Sequence, residues 1–289
     1  MTLYSTTPML NKAKKEGYGI VAFNVHSFDS IFWVVEGAAQ LYSPVILQTT
    51  MGTVKSLGAK NIVEAATAAS NYFDVPVGLH LDHCTDYELI KQCVRAGYTS
   101  VMIDASMHSF DENVTRTKEV VDLAKSLHVN IEAELGKVGG VEDDIVVDEK
   151  DAQKAVPEEC VAFVEQTGVP TLAPAIGTAH GIYKGDPDID FDRIQKIAEI
   201  VDVPLVLHGG SAVPDKDVRQ CVSLGMAKVN VSTELKNAYS QAIADHFKEY
   251  PDQLDPRQYL QKAKDAAIEM VASKIKMVGS EGKLVKPFV

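Results

Sequence analysis

The side chains of this 289-residue chain best suited to chemistry cluster at the ends of short apolar runs. Asp82 and His83 close one such run, Asp104 and Glu134 close two more, His180 follows a fourth, and His208 closes a fifth, followed by Gly209, Gly210 and Ser211. Three histidines from three separate run ends match the ligand set of a catalytic zinc site, which keeps a fourth coordination position for substrate. The spacings are long-range, so the argument for convergence rests on joint placement: three of the eight histidines fall at run ends together with three carboxylates. Asp82 adjoins His83 and would lie within reach of whatever the metal polarises, which suits proton transfer. Its competing role is a helix N-cap, but Thr85 and Asp86 follow and can supply that cap. Asp104 and Glu134 admit two readings: a second metal position or hydrogen bonds to the ligating histidines, and simple polar capping of the site's rim. His26, His108, His128 and His246 fit helical or loop surfaces. His80 shares strand parity with Asp82, which would put it in the interior beneath the site.

Two glycine-rich stretches add to this set. Residues 136–144, GKVGGVEDD, couple paired glycines to carboxylates, the make-up of a loop that brings an acid or base over a site; taken alone, the stretch is better read as an ordinary solvated loop. His208–Ser211 and Asn230-x-x-Thr233 follow the last two apolar runs. Gly209 and Gly210 permit close backbone approach to a ligand, and Ser211, Asn230 and Thr233 add donors that suit a phosphate. The same three residue types are also good helix N-caps.

The elements that must position these residues alternate regularly. Strands are predicted over 19–24, 45–50, 77–82, 100–104, 130–134, 171–177, 205–208 and 228–231, with helices over 30–42, 61–73, 86–95, 112–127, 157–167, 191–201 and 216–224 between them. Such alternation implies parallel pairing. The first strand ends in AFNVHS and lacks the GxGxxG turn of a doubly wound sheet, so an α/β fold of the (β/α)8 TIM-barrel type is expected, with its site at the C-terminal ends of the strands. A helix over 8–16 precedes the barrel. A helical arm over about 233–289, broken near 251–256, follows it. No linker or low-complexity tract divides the chain, and a single domain over 1–289 is expected.

The charge balance, 28 Lys+Arg against 40 Asp+Glu for a net −12, argues against phosphate neutralisation of nucleic acid. No stretch approaches the roughly 20 apolar residues of a membrane helix, and the start lacks a secretory signal pattern. Cys84, Cys93, Cys160 and Cys221 form no CxxC pair and read as buried thiols of a reducing compartment, so a cytoplasmic location is expected.

The motifs LHLDHC, EAELGKVGGVEDD, IGTAHGIY, VLHGGS and KVNVSTELKNA together resemble the class II, metal-dependent ketose-bisphosphate aldolases over nearly the whole chain. NVSTELKNAYSQAI and DPRQYLQKAK resemble the tagatose-bisphosphate branch more closely than typical fructose-bisphosphate members. The resemblance implies an aldehyde-lyase that reversibly cleaves a ketose 1,6-bisphosphate, tagatose 1,6-bisphosphate favoured, to dihydroxyacetone phosphate and glyceraldehyde 3-phosphate through a metal-bound enediolate. It implies Zn2+ on His83, His180 and His208, Asp82 moving the proton of the C4 hydroxyl, and Glu142 exchanging a proton at C3. Asp104 and Glu134 match positions near an alternative metal site. Gly181, Gly209, Ser211, Asn230 and Thr233 match the phosphate-binding set, with a monovalent cation (Na+ or K+) often nearby. Gly210, Val231 and Ser232 belong to the same two loops, and Lys184 would add positive charge. Asn24 and Thr50 match substrate-side positions. Departures are Ala212 after HGGS, where many members have Gly, and Gln261, where some fructose-bisphosphate enzymes place an Arg for the distal phosphate. Fructose 1,6-bisphosphate or another phosphorylated ketose is the alternative substrate, and a non-catalytic phosphosugar-binding or regulatory subunit is the alternative of another class. No predicted strand carries a lysine near its C-terminal end, which argues against a Schiff-base aldolase. The helical arm exceeds what a barrel needs to close, and a homodimer or homotetramer is expected from it.

Overall fold

Eight of the apolar runs become parallel strands that are buried on both faces, covered by helices outside and filled by side chains within. The chain is represented by a computed structural model that describes residues 3–142, 145–148, 152–181, 187–211 and 213–284. Its strands are β1 (Ile20–Asn24), β2 (Val45–Thr49), β3 (Val77–Cys84), β4 (Ser100–Ile103), β5 (Asn130–Leu135), β6 (Gly139–Glu142), β7 (Ile145–Val147), β8 (Thr171–Pro174), β9 (Ala179–His180), β10 (Leu205–Leu207) and β11 (Met226–Val231). The barrel closes in the order β1-β11-β10-β8-β5-β4-β3-β2, with every pairing parallel. It is the (β/α)8 barrel that the alternation predicts, and all eight predicted strands contribute to it. The remaining three form a small sheet, β7-β6-β9, outside the barrel. The glycine-rich stretch read as a loop is therefore a paired strand, β6.

The helices are α1 (Thr6–Glu16), α2 (Phe28–Gln40), α3 (Met51–Leu57), α4 (Ala59–Phe73), α5 (Tyr87–Ala96), α6 (Phe110–Ala124), α7 (Pro157–Thr167), α8 (Phe191–Ile200), α9 (Asp215–Ser223), α10 (Thr233–Glu249) and α11 (Pro256–Val278). Helix α1 seals the floor of the barrel: Met9, Leu10 and Ala13 pack with Ile20, Ala22, Ile46 and Ala227 in one buried cluster. Lys14 anchors it by donating from Nζ to the carbonyls of Val201, Asp202 and Val203 at 3.0, 2.6 and 3.2 Å. Above this apolar floor the interior turns polar. Gln48, His80, Ser100, Asn130, Glu132, Thr171 and Lys228 are at most 1% exposed.

The helical arm divides in two. Helix α11 lies against α2, α9 and β1 and buries Ala263, Ala267, Val271 and Ile275, so it completes the ring of helices around the barrel. Among the described residues of the arm, α10 and the turn at 250–255 precede that ring-completing helix, so about half of the length that the excess-length argument for oligomerisation assigned to an appendage belongs to the barrel. The α2–α11 contact depends on Gly37: a Cβ there would lie 2.8 Å from Val271 Cγ1. Gly37→Val is expected to overpack this seam and cost about 1–3 kcal/mol, seen as a lower urea midpoint with an unchanged slope.

Candidate active site at the barrel mouth

Asp82 and His83 are consecutive on β3, and a regular strand would point them to opposite faces. The strand avoids this with a bulge. Leu81 pairs with Val101 and Cys84 with Ile103, so three steps on β3 face two on β4. His83 sits within the bulge at φ 44, a left-handed conformation costly for a non-glycine residue. Both side chains are buried and turned toward the mouth, Asp82 at 0% and His83 at 3% exposure. The following helix is capped by Asp86, which accepts from the Glu88 and Leu89 N–H groups at 2.9 and 3.2 Å. Asp82 is therefore not the cap.

Three amides hold Asp82. Asn24 Nδ2 and Gln48 Nε2 donate to Oδ2 at 3.2 and 3.1 Å, and Asn230 Nδ2 donates to Oδ1 at 3.2 Å. Gln48 also donates to Asn24 Oδ1 at 2.6 Å, which locks the first pair. Burial alone would raise the Asp82 carboxyl, but the neighbouring His83 and the Lys228 ammonium outweigh it and lower it. The carboxylate stays ionised inside the protein.

The three histidines predicted from their run ends do converge. His83, His180 and His208 each offer a nitrogen within 4.8 Å of the others. The His83 ring centroid lies 4.7 Å from that of His180 and 4.5 Å from that of His208. Asp104 Oδ2 meets His83 Nδ1 at 2.8 Å, and Glu134 Oε2 meets His208 Nδ1 at 3.0 Å. Of the two readings for Asp104 and Glu134, hydrogen bonding to the histidines is realised. His83, Asp104 and Glu134 also lie close enough to form a second group able to hold a metal. Burial opposes charge on His83, but Asp82 and Asp104 overcome it and raise its imidazole well above the ordinary value. Burial and the repulsion of two neighbouring imidazoles lower His180. His208 ends near 9, its burial and the repulsion of His83 outweighed by hydrogen bonds to Glu132 and Glu134. Three imidazoles with carboxylates orienting two of them form a donor set that fits a divalent transition metal.

The other predicted residues are distributed around this centre. Thr50 caps the unpredicted helix α3 by accepting from Thr53 N–H at 3.5 Å. Asn24 and Asn230 touch Asp82, as above. Ser211 Oγ accepts from Ser232 N–H at 3.0 Å and ties the loop after β10 to the loop after β11. Ser232 precedes Thr233, where the 17-residue helix α10 begins without a side-chain cap. Its opening N–H groups follow β11 directly, and Gly210 packs against the Asn230 carbonyl at the end of that strand. Glu142 lies on β6 opposite Ile145 of β7, and only its backbone is described. Lys184 and Ala212 lie outside the described residues. Gln261 is on the outer face of α11, donating to Asp265 Oδ1 of its own helix at 2.8 Å.

Strand β9, which carries His180, is clamped between two glycines. It pairs with β6 through Gly139–Ala179 and Gly140–His180. A Cβ on Gly140 (φ 101) would overlap the His180 carbonyl oxygen, and one on Gly209 (φ 64) would overlap that of Ala179.

Gln48, Glu132 and Lys228 were not anticipated as parts of the site. Glu132 Oε1 meets His208 Nε2 at 2.9 Å, and Lys228 Nζ lies 2.8 and 3.1 Å from the Glu132 oxygens. The signal was parity: Glu132 precedes Glu134 by two residues, Lys228 precedes Asn230 by two, and in a strand residues two apart share a face.

A closed parallel barrel with imidazoles and carboxylates gathered at its C-terminal mouth defines an enzyme of the metal-site (β/α)8 type. Residues 4–283 match the family model for class-II fructose-bisphosphate aldolase. The X-ray structure of the YdjI aldolase from Escherichia coli K12 is similar at 33% identity and TM-score 0.86, over 98% of this chain and 100% of that one. A structure described as a putative fructose-1,6-bisphosphate aldolase from Coccidioides immitis matches at 30% identity and TM-score 0.86, over 96% of each chain. Fructose-bisphosphate aldolase from Campylobacter jejuni shares the fold at 22% identity and TM-score 0.84, over 97% of this chain and 96% of that one. The chain belongs to the class-II fructose-bisphosphate aldolase family, whose members are metal-dependent lyases acting on phosphorylated sugars.

Gly140→Ala is expected to unzip β6 from β9, because its Cβ cannot share space with the His180 carbonyl. Hydrogen–deuterium exchange should report this as faster exchange, about tenfold or more, confined to the β6 and β9 amides.

Proposed function

We propose that this aldolase uses Zn2+ on His83, His180 and His208 to cleave a ketose 1,6-bisphosphate, with tagatose 1,6-bisphosphate the favoured substrate. The observation that carries the reading is the convergence of the three imidazoles beside a buried, ionised Asp82. When bound, the ion supplies a Lewis acid that draws off the electron pair released by C–C cleavage. Asp82 takes the proton of the C4 hydroxyl. A carboxylate held this low is a weak base, so the transfer proceeds as the C3–C4 bond breaks and the C4 oxygen becomes a carbonyl. Asn24, Gln48 and Asn230 aim Asp82 and need not reorganise as its charge is neutralised. Glu142, on β6, returns a proton to C3 of the dihydroxyacetone phosphate half. Gly181, Gly209, Gly210, Ser211, Val231, Ser232 and Thr233 hold one phosphate by backbone N–H groups and hydroxyls, with Lys184 and a monovalent cation, Na+ or K+, adding charge compensation. Asn24 and Thr50 line the substrate side.

A Schiff-base route is disfavoured by the position of Lys228, which is 1% exposed and held by Glu132 within the barrel interior. Chelation by EDTA is expected to abolish cleavage, and borohydride with substrate to leave the chain unmodified by mass spectrometry; trapping of a lysine adduct would sink the zinc reading. Asp82→Asn should lower kcat about 10²–10⁴-fold while metal content by atomic spectroscopy stays at the wild-type level. Triose phosphate release by the purified chain from tagatose 1,6-bisphosphate, fructose 1,6-bisphosphate and their monophosphates identifies the substrate. No release from any of them would favour a phosphosugar-binding subunit.

The proposal extends to context. One functional domain with a C-terminal arm fits the reach of the family model over residues 4–283. Among the described residues no helix is long and apolar enough to cross a membrane, and the four cysteines are unpaired and buried, which supports a cytoplasmic location. Helix α10 and its turn leave Tyr250 and Leu254 exposed, a surface that supports a homodimer or homotetramer.

A further inference from the structure

An ion pair lies deep in the barrel, and beyond the charge that Lys228 lends to Asp82 the proposed chemistry gives it no role. Lys228 is on β11 and Glu132 on β5; both are at most 1% exposed. Glu132 Oε2 accepts from Lys228 Nζ at 2.8 Å, and Oε1 is shared between Lys228 Nζ at 3.1 Å and His208 Nε2 at 2.9 Å. A buried ion pair is often no more stabilising than apolar residues of similar volume, so its presence in a core calls for a further reason. The His208 ring supplies one, because it is gripped at both nitrogens. Nε2 faces Glu132, down in the barrel. Nδ1 faces Glu134, two residues further up β5 at the mouth, where Glu134 also accepts from Val138 N–H at 3.4 Å and groups with His83 and Asp104.

We propose that Lys228, acting through Glu132, is the positioning residue for His208: it fixes both carboxylate oxygens so that Oε1 holds Nε2 and sets the orientation of the ring within the histidine cluster. A metal-ligating histidine needs its second nitrogen held to set ring orientation and tautomer. Glu132 does the holding, and without Lys228 its carboxylate could rotate about its own side chain. Neither residue touches substrate. This role deepens the metal-dependent reading above and rests on it.

The test uses full-length protein, with Co2+ as the probe, and compares wild type, Lys228→Met and the double variant Lys228→Met/Glu132→Gln. Lys228→Met is expected to weaken Co2+ binding about 10–100-fold in chelator competition and to change the visible absorption bands of the bound ion. The double variant removes both charges of the pair together and carries the test if the single variant does not fold. It should melt within a few degrees of metal-free wild type and still bind Co2+ more weakly with altered bands. A folded variant of either kind that binds within twofold of wild type with an unchanged spectrum would overturn the positioning role and reduce the pair to core filling. Wild-type protein that takes up no Co2+ would instead overturn the metal reading, and this inference with it.

Discussion

A lysine and a glutamate sealed inside a barrel impose a constraint on everything around them. Removing each charge from water costs several kcal/mol, and mutual attraction offsets this only when the remaining hydrogen-bonding capacity is also met. Here the compensation spreads along the interior. Glu132 serves Lys228 and His208, and His80 stands 3.8 Å from Glu132 and 3.9 Å from Asp82 through Nε2 while Nδ1 meets Ser100 at 2.7 Å. Asn130 accepts from Thr171 at 3.0 Å and from Thr7 near the floor at 2.9 Å. The result is a polar column from α1 to the mouth, surrounded by apolar packing between strands and helices. Stability and function are divided radially: the outer faces of the strands supply hydrophobic burial, and the inner faces supply a fixed electrostatic field.

That field explains the protonation pattern at the mouth. Asp82 is buried yet ionised because His83 and Lys228 lie close and three amides donate to it. His80, beside Lys228 and out of water, is lowered to about 3 and stays neutral. Groups of the same type a few ångströms apart are thus assigned different charge states by position alone, the arrangement an acid–base site requires.

The barrel and its mouth were legible in the sequence because both rest on periodicity. Apolar runs alternating with helical stretches located all eight strands, and the polar residues at or just past their ends located the three histidines, Asp82, Asp104 and Glu134. What sequence reading missed depends on contacts across the barrel or on local departures from regularity. The Leu81–Cys84 bulge that turns Asp82 and His83 to one side leaves no composition signal. The small β7-β6-β9 sheet escaped because strands of two to four residues are too short to show a period, and β6 opens on paired glycines that look like a loop. The split of the C-terminal arm was hidden because α10 and α11 are similarly amphipathic, and only the packing of α11 on α2 and α9 tells them apart. Lys228 begins the eighth strand as predicted from sequence, but the observed strand starts two residues earlier at Met226, which places the lysine in the barrel's middle.

The two glycines around β9 bear on how this scaffold can diverge. Because Gly140 and Gly209 touch the backbone that carries His180, β6 and the segment after β10 are not independent ornaments of the mouth. An insertion or a bulkier residue in either would be transmitted to a histidine of the cluster, so sequence drift there is penalised even where no ligand is contacted. Variation that retunes selectivity while sparing the histidine cluster has room elsewhere, in the segments on either side of α3. Lineages sharing this barrel should therefore differ most at those margins and least at the two glycines.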